Sequence, residues 1–288
     1  MSSPTLTMGD TLEAEFPMKS LHANGLTFNV LDAGQGEPVL LLHGFPDCHE
    51  VWRLQVPELV AAGYRVIVPD LRGCGDSEMG SCVADYHLRY LLADVIAMLD
   101  ALGLQQVRLV GHDWGAVLGW QLVLAHPQRF LRYVALSVGH PLGYMRGGLP
   151  QLARGWYVGM FQLRGVAEWL IRAGGWALFR GLTALPQEFP LWHARLRRPG
   201  RLTAGISWYR ANLQLLWRKD YAAVQVPVVG IYSECDKFLT RRQMQASAAY
   251  CDAGFRYVEV PATGHWMQLE APQLVTPLIL QALKEQQT

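Results

Sequence analysis

Val107-Arg108-Leu109-Val110-Gly111-His112-Asp113-Trp114-Gly115-Ala116 is the stretch on which the reading of this chain turns. Val107 to Val110 reads as a short buried strand, and Val117 to Ala125 as a helix. Between them lies a tight turn with a glycine on each side of Asp113, the arrangement of a nucleophile elbow, G-x-nucleophile-x-G. The turn is sharp enough that side chains at Gly111 and Gly115 would collide with neighbouring backbone. The residue between them is held strained, with its side chain exposed. A carboxylate in that place can attack a carbon and become an ester, which water can later cleave.

Working outward, the 288 residues are 51% hydrophobic and 17% charged, with a formal net charge of +1. That suffices for one large domain, or one domain with an inserted subdomain. Near-zero net charge gives no reason to expect a nucleic-acid partner. The stretch Met1 to Glu15 is polar, with no apolar core of a signal peptide, and no apolar run approaches the length of a membrane span. The five cysteines, Cys48, Cys74, Cys82, Cys235 and Cys251, are scattered without a C-x-x-C pair. This argues against a disulfide framework or a zinc site and fits a reducing cytoplasm. No nucleotide-binding or metal-binding signature occurs, so neither cofactor nor metal is expected. Oligomeric state is not readable.

Leu26–Leu31 and Val39–Leu42 read as strands around the turn Gly34 to Pro38. Tyr64–Val68, Val107–Val110, Tyr133–Val138, Val228–Tyr232 and Phe255–Val260 follow. Several are near-continuous apolar runs, as expected of parallel strands buried on both faces. Helical patterns fall between them at Pro57–Ala62, His87–Leu102, Ala116–Ala125 and Arg241–Ala249. The alternation predicts an α/β fold with a mostly parallel, doubly wound sheet.

The rhythm stops after Gly139-His140-Pro141 and resumes at Val226-Pro227. The roughly 80 residues between hold six of the ten tryptophans and are mostly helical in pattern, interrupted at Pro186, Pro190 and Pro199-Gly200. A helical insertion at this point would lie over the carboxyl edge of the strands, where open α/β sheets bind ligands. We therefore expect an inserted helical lid, or cap, at residues 142–220, between core segments 1–141 and 221–288. From 142 to 220 there are 12 Lys+Arg and 3 Asp+Glu, a net of +9, against −8 for the remainder. Docking of a basic subdomain on an acidic one explains this simply; attraction of anionic substrates or an anionic surface is the other reading.

His43-Gly44-Phe45-Pro46-Asp47 follows the Val39–Leu42 strand directly and supplies a tight turn facing the elbow. The N–H groups of Phe45 and of Trp114, the residue after the nucleophile, are the expected oxyanion-hole donors. Asp236 falls just beyond the Val228–Tyr232 strand and His265 just beyond Phe255–Val260, on the same edge as Asp113. Glu234 is a rival acid in the same loop as Asp236. Nucleophile, acid and histidine then occur in the chain order of an α/β-hydrolase triad.

With these residues in place the chain resembles the α/β-hydrolase family and, within it, the epoxide hydrolases, from about Phe16 to Leu283. The markers are His43 to Asp47, Asp70-Leu71-Arg72-Gly73-Cys74-Gly75-Asp76-Ser77, the elbow, Asp236 and Gly264-His265-Trp266. Epoxide hydrolases carry two lid tyrosines that hold and protonate the epoxide oxygen. Trp156-Tyr157-Val158-Gly159-Met160-Phe161-Gln162 looks like the first such segment and Ser207-Trp208-Tyr209-Arg210 like the second, so the resemblance assigns Tyr157 and Tyr209. It implies a hydrolase of the detoxifying kind that takes a small apolar or aromatic epoxide and water.

The chemistry explains why these residue types belong together. Serine attacking an epoxide carbon would give an ether, which a histidine-activated water cannot cleave by carbonyl addition; aspartate gives an ester, which it can. Phenols of ordinary pKa about 10 are acidic enough to protonate the alkoxide as the ring opens. Histidine then activates water for the second step, since an aspartate is already ionised at neutral pH. Two rival readings remain. Haloalkane and haloacid dehalogenases of this fold also use an elbow aspartate, but the haloalkane enzymes commonly place an asparagine after the His-Gly pair, where this chain has Phe45. The haloalkane enzymes' alternative acid position is also empty here, at Gly139-His140-Pro141. A non-catalytic ligand-binding relative would be expected to lack a triad member, and all three are present.

Overall fold

The computed structural model describes residues 12–285; most of the polar stretch Met1–Glu15 therefore lies outside the described residues. Eight strands form a single sheet: β1 (Met18–Ala23), β2 (Leu26–Ala33), β3 (Glu37–Leu42), β4 (Tyr64–Pro69), β5 (Val107–His112), β6 (Phe130–Leu136), β7 (Val228–Ser233) and β8 (Phe255–Val260). Their spatial order is β1-β2-β4-β3-β5-β6-β7-β8. β2 runs antiparallel to both its neighbours, and all later pairings are parallel. The parallel strands are those with continuous apolar runs. Val39 to Leu42 and Val107, Leu109 and Val110 are buried, each such side chain contributing about 1.5–3 kcal/mol of transfer free energy.

Short helices such as Met267–Glu270 and two longer elements escape the sequence reading. β1 pairs with β2 through a hairpin whose turn, Asn24-Gly25, has both residues at positive φ (47° and 74°). Asn-Gly is the preferred pair for that type of turn, so the signal was present, but Met18–Ala23 lies half-exposed at the sheet edge and has no apolar alternation to announce it. The helix Pro272–Lys284 was also missed. It starts with a proline in its first turn, where the absent N–H costs nothing, and buries Val275, Ile279, Ala282 and Leu283 on one face. Elsewhere the boundaries shift. The helix after the elbow begins at Trp114, and β6 ends at Leu136 because Ser137 takes a φ of 69°. The helix from Arg241 gives way at Ala246 to a 3-10 turn.

The sheet's switch point lies between β3 and β5: the chain leaves β3 to form β4 on one side and returns to form β5 on the other. The loops after these two strands therefore face each other at the carboxyl edge. Between β6 and β7 lie helices Pro141–Arg146, Gly148–Arg154, Trp156–Phe161, Val166–Thr183, Phe189–Leu196 and Arg201–Ala211. The longest is broken at Ala173–Trp176, where Gly174, Gly175 and Trp176 adopt left-handed conformations. Pro190 does not interrupt a helix as the sequence suggested. It sits in the first turn of Phe189–Leu196, a position proline favours.

The helical segment is tied to the sheet by polar contacts as well as apolar ones. Arg53 and Glu188 form a buried pair at 2.5 Å, each side chain only 3% exposed. Asn212 donates to the carbonyl oxygen of Tyr86 and accepts from the Leu88 amide. Arg195 and Arg198 approach Asp76, and Arg154 and Arg201 donate to carbonyl oxygens of core loops. Part of the segment's excess positive charge is thus used in docking.

Candidate active site

Asp113 follows β5 with φ 52° and ψ −122°, a strained conformation for a residue with a Cβ. The surroundings enforce it. Gly115 packs against the backbone of Leu42 and His43, closer than any Cβ would allow. This lets the helix Trp114–Ala125 run directly under the sheet edge, its first N–H groups beside the carboxylate. The Phe45 amide donates to Asp113 Oδ1 at 2.8 Å. The Asp113 carboxyl is pushed up by burial, but the adjoining His265 and the Trp114 amide outweigh this and hold it below the usual carboxylate range.

His265 Nδ1 donates to Asp236 Oδ2 at 2.8 Å, and Nε2 lies 3.6 Å from Asp113 Oδ2. Asp236 is fixed in turn by the Phe238 and Leu239 amides, both donating to its Oδ1. Glu234 is exposed and instead accepts from the Ala262 amide. Burial alone would push the His265 imidazole down; the carboxylates of Asp236 and Asp113 on its two nitrogens raise it to about 10. Before any reaction, then, the site is an imidazolium between two carboxylates.

Tyr157 and Tyr209, from two different helices, meet above Asp113 with ring centroids 5.9 Å apart. Burial pushes both phenols well above 10, and the nearby Asp113 charge adds to the shift. They remain protonated donors. Both rings, with Asp113 and Phe238, line two chambers that meet at the elbow. The larger extends past Val138, Tyr144 and Leu216. The smaller extends past Phe161, Phe179 and Trp266 and includes His265. The linings are dominated by apolar and aromatic side chains.

Several residues around this centre were not singled out from sequence. His112, inside the elbow, donates from Nε2 to the His265 carbonyl at 2.9 Å, and Ser137 Oγ donates to the same oxygen at 3.3 Å. Burial pushes the His112 imidazole down to about 3, so the neutral ring is a fixed single donor there. Asp47, quoted above only as part of a motif, accepts from the Trp266 indole at 3.0 Å and from the Trp192 indole at 2.8 Å. It thereby joins the histidine loop to the helical segment. Phe238 packs edge-on to both His265 and Tyr157. Only the position of His112 within the elbow hinted at any of this; the rest are long-range contacts.

A second titratable cluster lies behind the site. Cys48, His49 and Asp70 are buried together, and Glu13 and Glu50 approach the other side of the same imidazole. Burial disfavours the His49 charge, yet Asp70 at 2.8 Å and Glu50 raise its pKa to about 9. The imidazolium occupies the place between these carboxylates that a cation would take, and the Arg195 guanidinium stands close by.

Comparison with known proteins agrees with this geometry. Residues 37–272 match the family described as the alpha/beta hydrolase fold. Epoxide hydrolase A of Mycobacterium tuberculosis is 31% identical, across 98% of both chains. Among solved structures, an epoxide hydrolase from Vigna radiata superposes with a TM-score of 0.82 at 29% identity, over 94% of this chain and 98% of that one. An epoxide hydrolase from Bacillus megaterium gives 0.84 at 25% identity, over 93% and 100%. With an elbow aspartate at the switch point of an eight-stranded, mostly parallel sheet, and relatives of this kind along nearly its whole length, the chain belongs to the α/β-hydrolase fold family, in its epoxide-hydrolase-like branch.

Proposed function

We propose that this hydrolase opens epoxides to vicinal diols through an ester on Asp113, with residues 142–220 serving as a lid over the core formed by 1–141 and 221–288. The observation that carries the reading is the convergence of one elbow carboxylate, one carboxylate-bound histidine and two protonated phenols on the junction of two apolar chambers. Halide departure has no use for a pair of proton donors; an epoxide oxygen does. The apolar linings suit an apolar or aromatic substrate, with a substituent in each chamber.

Asp113 Oδ1 is held by the Phe45 amide, which leaves Oδ2 as the attacking atom. Oδ2 bonds to one ring carbon while that carbon's bond to oxygen breaks. The electron pair goes to the ring oxygen, which takes a proton from Tyr157 or Tyr209. The product of this step is a hydroxyalkyl ester whose carbonyl oxygen is Oδ1. Esterification removes the negative charge that stood 3.6 Å from His265 Nε2, so the imidazole loses one of the groups holding its proton. Its proton makes good the one that Tyr157 or Tyr209 gave up, and the imidazole, now neutral and still oriented by Asp236, accepts a proton from water. The hydroxide adds to the ester carbon, and the Phe45 and Trp114 N–H groups stabilise the tetrahedral oxyanion by about 3–4 kcal/mol each. Collapse breaks the bond between the ester carbon and Oδ2; the departing alkoxide takes the proton of the added hydroxyl, which gives the diol and restores the carboxylate, with His265 again an imidazolium.

The test is the fate of oxygen. Under single turnover in heavy-oxygen water the first diol should contain unlabelled oxygen from Asp113, and the label should appear in the enzyme. Label in the first-formed diol and none in Asp113 would exclude the ester route. A parallel halide-release assay on haloalkanes and haloacids should give nothing.

A further inference from the structure

We infer that the outer face of the helical segment docks on the surface of an anionic lipid bilayer. The inference is independent of the reaction catalysed within. Of the eleven large apolar side chains exposed among the described residues, eight fall between positions 142 and 220, a little over a quarter of the chain. They are ordered. Leu149, Leu152 and Trp156 recur at spacings of three and four, 81%, 54% and 52% exposed, while Gln151 on the opposite face is buried. Leu163, Val166 and Trp169 follow at 53%, 48% and 66%, with Ala167, Glu168 and Ile171 turned inward. Leu149 and Leu152 stand on the helix Gly148–Arg154, Trp156 at the start of the next, Leu163 in the connection that follows, and Val166 and Trp169 on the first turn of the helix Val166–Thr183. So many large apolar side chains exposed within one segment mark an interaction surface.

Charge identifies the partner. Exposed Arg164 and Arg172 flank the second stripe, and Arg180 and Arg197 lie further along; none of the four has an acidic partner among the described residues. The segment's acids are spent elsewhere. Glu168 is paired with Arg210 and Glu188 with Arg53, both buried, which leaves Asp220 beside Arg218 as its exposed acid. Tryptophan and leucine interleaved with unopposed arginine is the composition of a surface that seats its apolar side chains at the acyl boundary and its cations among anionic headgroups. A second copy of this segment, whose acids are already paired, would bring more positive charge rather than opposite charge to these arginines. The larger chamber is lined by Tyr144, Tyr157 and Leu216, which are chain neighbours of exposed Met145, Trp156 and Trp217. An apolar substrate dissolved in the bilayer would then reach the cavity with a short path through water.

Vesicle sedimentation of the full chain tests this. It uses phosphatidylcholine alone and phosphatidylcholine with about one-third phosphatidylglycerol. The wild type should partition onto the anionic vesicles, with a blue shift of tryptophan emission, and be released by salt. Arg164→Glu with Arg172→Glu should lower the partition coefficient by about tenfold or more, at roughly fivefold per cation. Leu163→Ser with Trp169→Ser should weaken binding while keeping its salt dependence. Unchanged thermal unfolding midpoints would show that both variants fold. Failure of the wild type to bind anionic vesicles, or charge reversal without effect on binding, overturns the proposal. So does a dimer in sedimentation velocity that Trp169→Ser dissociates, which would assign the face to a second copy.

Discussion

The loops at the carboxyl edge of the sheet and the helices above them supply the two halves of one site, and they are built differently. The loop residues are over-determined. Asp236 takes two backbone amides and an imidazole, and the His265 carbonyl takes two side-chain donors. Asp113 is strained into place by the backbone around it. The tyrosines above are held by aromatic edges instead: Tyr209 meets Trp114, Phe45 and Phe161, and Tyr157 meets Phe161 and Phe238. Charged networks fix geometry to tenths of an ångström, whereas ring contacts tolerate sliding. On the proposed pathway the half that would make and break the ester is the over-determined one, and the half that would follow the leaving oxygen has room to adapt to different substrates.

The sharpest way to break this comparison is to separate the two steps. Asp113→Ala should lower turnover by roughly 10⁴–10⁶-fold. His265→Gln should lose as much in steady state yet still form the ester, leaving an adduct visible by intact mass spectrometry. If His265→Gln accumulates no adduct with a good substrate, the division of labour fails. Tyr157→Phe and Tyr209→Phe should each slow ester formation by about 10²-fold, the lower range for a proton donor. Ester hydrolysis should be nearly unchanged in both. The double variant should be almost inactive, and equal slowing of both half-reactions would place the phenols elsewhere in the mechanism.

Next in size is the join between the halves. Glu188→Ala leaves Arg53 buried without its partner and should cost about 3–5 kcal/mol of stability, read by denaturant unfolding. A smaller loss would show that the Arg53–Glu188 pair contributes little to holding the helical segment beside its apolar and other polar contacts.

The pH profile sharpens the electrostatic contrast. His265 is raised from 6.5 to about 10 in the folded state. Its contribution to stability is therefore fully present below pH 6.5 and lost as pH rises toward 10. Asp113 is lowered, so its contribution is present above its unfolded value and lost as pH falls below it. In the ester form His265 no longer faces a charged Asp113. The hydrolytic half-reaction should titrate below 10, whereas the Asp113→Ala protein, with Asp236 still on Nδ1, should show a smaller alkaline decline in unfolding midpoint than the wild type. The smallest expected effect is at the sheet's far edge. Gly25→Ala at φ 74° should cost about 1–2 kcal/mol and leave both half-reactions untouched.

The sheet was legible because buried parallel strands write themselves as apolar runs, and the elbow because its glycines are required by backbone contact. The triad positions followed from where strands end. β1 and the C-terminal helix were missed because an exposed edge strand carries no alternation and the helix begins without a polar cap. The clamps formed by Asp47, His112 and Ser137 join positions as far as 219 residues apart, and no local pattern encodes such a pairing. The break at Ala173–Trp176 was equally silent, since Ala-Gly-Gly-Trp within a helical pattern reads as weak helix rather than as a reversal of handedness.

The hydrogen bond from the Phe45 amide to Asp113 Oδ1 has one more consequence. On the proposed pathway that oxygen is in turn a carboxylate oxygen, an ester carbonyl, a tetrahedral alkoxide and a carboxylate again, and at 2.8 Å it already rests against its donor before any substrate arrives. Water would have to turn its dipoles afresh at each of these changes. A peptide N–H anchored between a strand and a turn has nothing to turn, so the reorganisation that a solvent would contribute to each barrier was settled when the chain folded.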